Sequence, residues 1–149
     1  MKLEKEIKQK KFDNEFQKLI VNIIYTGGWL NAINSKRLKK FGISPQQYNV
    51  LRILRGQYPL PVTVNLLKER MLDRMSNASR LVEKLRLKGC VERAVCPSDR
   101  RAVDVIITQK GLDLLAEIDS GAKKFEKHFK SLAKSEAKKL NQLLDKLRG

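Results

Sequence analysis

Arg100 and Arg101 stand side by side just after the turn-forming run Pro97-Ser98-Asp99, with a strand-like stretch on either side. Residues 91–96 alternate polar and apolar on the way in, and Val103, Val105 and Ile107 share one face on the way out. Guanidinium groups at the tip of such a hairpin, or wing, are suited to phosphate oxygens or to the edge of a groove. Directly upstream, residues 74–88 have helical spacing, with Ala78, Leu81 and Leu85 on one side and Asn77, Arg80 and Lys84 on another. A polar helix followed by a basic wing points to a polyanion, and to duplex DNA first.

Other chemistry is poorly provided for. No Ser/His/Asp or Cys/His set, phosphate loop or carboxylate pair stands out, so the expectation is a binding protein without catalytic residues or cofactor. Cys90 and Cys96 lack metal-ligand spacing and His128 is the one histidine, which argues against a Cys/His metal site. Six steps along a strand cover about 20 Å, whereas bridged Cα atoms lie about 4.4–6.8 Å apart, so the two thiols are expected to pack the base of the wing unpaired. A charge of +16, from 32 Lys and Arg against 16 Asp and Glu, favours a polyanionic partner, although charge alone does not separate DNA from RNA or an anionic membrane. No apolar run approaches the roughly 20 residues of a membrane span, and the charged N-terminus has no signal-peptide core, so the expected location is the cytoplasm, with no membrane partner.

The elements that would position the helix and wing are readable from caps and stripes. A first helix is expected over about 8–40, with Phe12, Phe16, Leu19, Ile20, Ile23 and Ile24 on one stripe; Gly27-Gly28 is read as close packing, a kink or part of a ligand cavity. Ser44-Pro45-Gln46-Gln47 opens a second helix through a capping box, with Tyr48, Leu51 and Leu54 as its buried face. The run 56–61 breaks it. Thr63 caps a short third helix with Leu66 and Leu67 inward, and Asp73 or Ser76 caps the fourth. Beyond the wing, Thr108 caps a fifth helix through Leu112, Leu115, Phe125 and Phe129, and a last helix carries Leu140, Leu143, Leu144 and Leu147. The fold class is therefore mainly α with a small β-hairpin wing, read as a single domain over 1–149. A winged helix-turn-helix core occupies about 44–108. Flanking helices, about 8–40 and 109–149, carry apolar stripes that a second copy of the chain would cover.

The chain resembles the MarR family of winged-helix transcription regulators. That family's wing pattern, Asp-x-Arg followed by apolar alternation into Leu-Thr-x-x-Gly, is matched by Asp99-Arg100-Arg101 through Ile107-Thr108-Gln109-Lys110-Gly111, with Ile for the usual Leu. The run 81–93 matches the family's passage from recognition helix to wing. The resemblance implies a homodimer built by the terminal helices and a regulator, a ligand-responsive repressor in this reading, acting on a palindromic operator. By the same resemblance Arg101 is the minor-groove arginine and Asp99 holds it in place. Ser76, Asn77, Ser79 and Arg80 lie where Asn or Arg side chains read base edges, while Arg74, Lys84, Arg86 and Lys88 serve phosphates or the solvated surface. Family dimers also take small aromatic or phenolic acids in a cleft, bordered here by Tyr25, Trp29, Tyr48 and Gly27-Gly28, with Lys36 or Arg52 to meet a carboxylate. Core packing explains the same aromatics. The alternative function is a basic winged-helix module for RNA, for which the few aromatics form no stacking platform.

Overall fold

Local caps determine most of the helix starts. The computed structural model describes residues 1–96 and 98–149, with the side chains of 95, 96 and 99–101 outside the description. After a short α1 (Leu3–Glu6), the long α2 (Glu15–Lys39) begins at Asn14, not near residue 8. The Asn14 side chain accepts the Gln17 amide at 2.9 Å while Gln17 Oε1 accepts the Asp13 amide at 2.7 Å, a polar clasp that fixes the first turn. Helix α1 is tied to α2 by the Lys18–Glu4 ion pair at 2.6 Å and by the Tyr25 hydroxyl, which donates to Glu6 at 2.7 Å. Gly27-Gly28 neither interrupts α2 nor sits against a neighbour. The helix runs unbroken through both, and a Cβ added at either would meet nothing within 4 Å.

Helix α3 (Pro45–Gln57) opens with the expected Ser44/Gln47 capping box, and Gln47 is buried in making it. Its inward face is Val50, Leu51 and Leu54, while Tyr48 is only half-buried. Gly56 remains inside the helix, which ends at Tyr58 with a cis Tyr58–Pro59 bond. Thr63 caps α4 (Val64–Arg70), accepting the Leu66 amide at 3.2 Å; Leu67 is fully buried and Leu66 packs at the core edge. The helix that precedes the wing, α5 (Ala78–Leu87), starts four residues later than the pattern suggests. Its cap is Asn77, neither Asp73 nor Ser76.

The wing strands β2 (Val91–Cys96) and β3 (Asp99–Ile107) pair antiparallel from Val91↔Ile107 to Val95↔Val103, with an irregularity at Cys96↔Asp99. The sheet has three strands, not two: β1 (Val62–Thr63) pairs with β3 at Val62↔Val105 and Thr63↔Asp104, giving the order β1-β3-β2. This third strand anchors the base of the wing to the start of α4. Val62, Val91, Val105 and Ile107 enter one core with Leu51, Leu54, Leu67, Val82, Leu85, Leu115 and Ile118.

Thr108 explains the Thr-x-x-Gly signature physically. Its hydroxyl accepts the Gly111 amide at 3.2 Å and donates to the Gly89 carbonyl at 2.7 Å, joining the end of the sheet to the turn after α5. A Cβ on Gly111 would lie 2.4 Å from the Cys90 carbonyl oxygen and 2.7 Å from Ile107 Cγ1, so only glycine allows this approach. Gly89 itself has φ +71° and reverses the chain after α5, with the Cys90 amide reaching back to the Leu85 carbonyl at 3.0 Å. The single fifth helix expected over 109–129 is divided into α6 (Gln109–Ser120), α7 (Ala122–Glu126) and a 3₁₀ turn, Lys127–Phe129, with the break at Gly121. A last helix, α8 (Lys134–Arg148), leaves Leu140, Leu143 and Leu147 exposed.

Candidate nucleic-acid interface

Helix α5 is held by hydrogen bonds on the chain just before it. From α3, Asn49 Oδ1 accepts the Leu72 amide at 2.9 Å. Asp73 Oδ1 accepts the Met75 amide at 3.0 Å, and the Asp73 carbonyl accepts the Ser76 amide at 3.2 Å. The Ser76 hydroxyl, the Met75 amide and Gln46 all donate to the Asp73 carboxylate and hold it below its ordinary range. Asn77 Oδ1 then accepts the Arg80 amide at 3.0 Å and starts the helix. Asn49, Gln46 and Asp73 act here as positioning residues, and no local pattern distinguishes them from other polar side chains of their helix and turn.

These bonds divide the expected base-edge residues into two groups. Ser76 and Asn77 have a structural task, the first against Asp73 and the second as the cap. Ser79 and Arg80 are exposed on the first turn of α5, opposite the buried Ala78, Val82 and Leu85. Lys84 is exposed one turn further and has no ion-pair partner among the described residues. Arg86 differs, because its guanidinium meets Glu83 at 2.8 and 3.1 Å. Glu83 also pairs with Arg93 of β2 at 3.3 Å, so one carboxylate bridges the helix and the wing strand. Both arginines draw the Glu83 carboxyl below its ordinary pKa, the Arg86 hydrogen bond most. The Lys88 ammonium donates to the Gly42 carbonyl, which joins the end of α5 to the turn after α2.

In the wing, Asp99, Arg100 and Arg101 belong to β3, and the roles expected of their side chains lie outside the described residues. The same holds for Cys96, and Pro97 lies outside the description altogether. Cys90 is buried where β2 leaves the turn after α5, and burial pushes its thiol pKa up against the opposing effect of Lys110 and Lys88. Protonated at neutral pH, it is a packing residue there. Among the described residues no group of His, Cys, Asp and Glu could hold a metal ion, and no helix is long and apolar enough to cross a membrane.

The helix, the turn before it and the antiparallel wing together make a winged helix-turn-helix, and the MarR family's sequence model matches this part of the chain, residues 41–102. This part of the chain matches the MarR family. Among curated proteins it is similar to the HTH-type transcriptional regulator MhqR of Bacillus subtilis, 31% identical over 91 residues, 60% of this chain. The match also spans only 60% of that relative's length. Among solved structures it is similar to a mutant MarR from E. coli complexed with operator DNA, with a TM-score of 0.79, 24% identity, and 93% and 99% of the two chains covered. A second similar structure is the organohalide-sensing regulator RdhR-CbdbA1625 in its 2,4-dichlorophenol-bound form, with a TM-score of 0.82, 18% identity, and 94% and 85% covered. At these identities the two structures establish the fold.

The aromatics expected to border a ligand cleft fall into two clusters. Trp29 meets the edge of Phe129, ring centroids 6.1 Å apart, and Tyr25 is held by Glu6 one turn before it. Tyr48 lies instead with two arginines, Arg52 at 5.8 Å and Arg37 at 5.3 Å from its ring centroid. Arg37 is also 4.2 Å from the Phe125 centroid, so its guanidinium is held by the rings of α3 and α7. The sequence does not single out Arg37, since Lys36 beside it has the same charge and only packing distinguishes them. The Arg37 Nε and, one turn earlier, Asn34 Oδ1 are buried with no hydrogen-bond partner among the described residues.

Proposed function

We propose that the chain is a sequence-specific regulator of transcription that binds double-stranded DNA as a homodimer on an imperfect palindrome. One observation carries this reading: α5 presents Ser79 and Arg80 outward from a hydrogen-bonded entry turn, beside an antiparallel wing, in a chain of charge +16. A polar first turn of this kind fits a major groove, and two copies fit successive grooves about 34–36 Å apart. Within this reading Ser79 and Arg80 face the bases, with Ser76 and Asn77 beside them holding the helix start. Lys84 and Arg100 serve the phosphates, and Arg101, held by Asp99, enters a narrow minor groove.

The test is competition between duplex DNA and structured RNA, followed by two substitutions. Duplex wins if the reading is right; preference for RNA establishes the alternative. Arg80→Ala then lowers discrimination at one position of each half-site by about 1–3 kcal/mol. Arg101→Ala weakens binding most on A·T-rich sites, where a narrow groove concentrates negative potential. Variants that rank all sequences as the parent does would show that these side chains read nothing.

The same reading makes the chain a repressor released by a small aromatic or phenolic acid. The orphan Arg37 Nε and Asn34 Oδ1 support it, because buried polar atoms without partners cost about 1–3 kcal/mol each, and a bound phenolic acid carries both a carboxylate to accept from Arg37 Nε and a hydroxyl to donate to Asn34 Oδ1. Tyr48 and Arg52 supply a wall and a second cation, with Tyr25 and Trp29 further along α2. Such a ligand weakens DNA binding about 5- to 150-fold, and DNA weakens the ligand equally. Calorimetry with 2,4-dichlorophenol and with benzoate, each with and without operator, measures this; equal ligand affinities in the two states rule out that compound as an inducer.

A further inference from the structure

Two apolar side chains at the entry to α5 are held out in water by the bonds that order the turn. Leu72 is 89% and Met75 93% exposed, while Met71 before them and Ala78 after them are buried. Neither is loose in the backbone: the Leu72 amide is held by Asn49 and the Met75 amide by Asp73. Exposing an apolar side chain forgoes its burial energy, so a turn fixed in this conformation is suited to covering that side chain with something else. The surroundings restrict what the cover can be. Arg74, Ser79, Arg80 and Lys84 are all exposed nearby along the chain, and the one acid of the turn, Asp73, is occupied by Ser76, Met75 and Gln46. An apolar protein surface is poorly matched to this cationic rim. A DNA major groove matches both features, because phosphates flank a floor on which the C5-methyl of thymine is the apolar group.

We infer that Met75 is a specificity-determining residue that reads a thymine methyl group at the edge of each half-site. The inference rests on the DNA-binding reading above and adds to it an apolar contact beside the polar ones of Ser79 and Arg80. Met suits the task, since its unbranched, polarizable thioether adapts to a shallow surface. Leu72, three residues earlier and further from the helix start, is the exposed apolar neighbour against which Met75 is compared.

The experiment removes the methyl group and nothing else. Bound duplexes selected from a random pool define the half-site, and each thymine is then replaced singly by deoxyuridine, with affinities measured at one fixed salt concentration for the parent, Met75→Ala and Leu72→Ala. The parent is expected to lose about fourfold at one thymine position, the loss of one buried methyl group. Met75→Ala binds the two duplexes equally at that position, while Leu72→Ala keeps the parent's discrimination. Both side chains are exposed, so both variants retain the parent's melting temperature. Uridine tolerated by the parent at every position, or discrimination retained in Met75→Ala, overturns the inference while leaving DNA binding intact. Failure of the parent to bind any duplex overturns the DNA reading and the inference together.

Discussion

Affinity for a selected duplex is expected to fall by about 10³ to 10⁵ as salt rises from about 50 to 200 mM, if about six to ten phosphates are contacted. The magnitude follows from counterion release, since each neutralised phosphate frees condensed cations whose return is favoured by added salt. The structure indicates which charges take part. Arg86 and Arg93 are shared with Glu83, and Lys88 is bound to Gly42 at the back of α5, so these three are poor candidates. Lys84 and Arg74 are exposed without ion-pair partners among the described residues. Lys84→Ala should therefore lower the slope of log K against log salt by about one per subunit, while Arg86→Ala leaves it nearly unchanged. A slope near zero for the parent would mean that the excess charge serves solubility and has no part in binding.

Elements whose boundaries depend on local chemistry were legible in the sequence. The Ser44/Gln47 box, the Thr63 cap and the Thr108 cap each need only a side chain and an amide within three residues. Asn14 with Gln17 has the same local signature, yet the apolar stripe extending back to Phe12 concealed it. The start of α5 could not be read in this way. Asp73, Ser76 and Asn77 are all capable caps, and the choice is made by Asn49 and Gln46 from a helix more than twenty residues away. Strand β1 is only two residues long and gains its identity from pairing with Val105 and Asp104, so no periodicity announces it. Gly27-Gly28 shows the opposite error. A cost of about 1 kcal/mol for each glycine is too small to break a helix of 25 residues, so the pair marks neither a helix end nor a contact within the chain.

Those glycines lie on a helix with a large uncovered face, from which the dimer prediction follows. On α2, Phe16, Ile20 and Ile24 are 78%, 59% and 70% exposed, and α8 adds Leu140, Leu143 and Leu147 at the other end of the chain. An apolar surface of this extent, drawn from both termini, is the kind that a second copy covers in a symmetric pair. Truncating Ile20 and Ile24 to alanine removes about three carbons from each, and at their exposure each loses about 1.5 kcal/mol of burial in the dimer. Four such side chains across the two-fold axis come to about 6 kcal/mol, or about four orders of magnitude in the dimer dissociation constant. Sedimentation of the double variant should show monomer at micromolar concentration, with specific DNA affinity lost in parallel because one half-site alone remains engaged. Removing the chain from Leu140 onward should act in the same direction. A double variant that sediments as the parent dimer would place the interface elsewhere, and the exposed face of α2 would then need another cover.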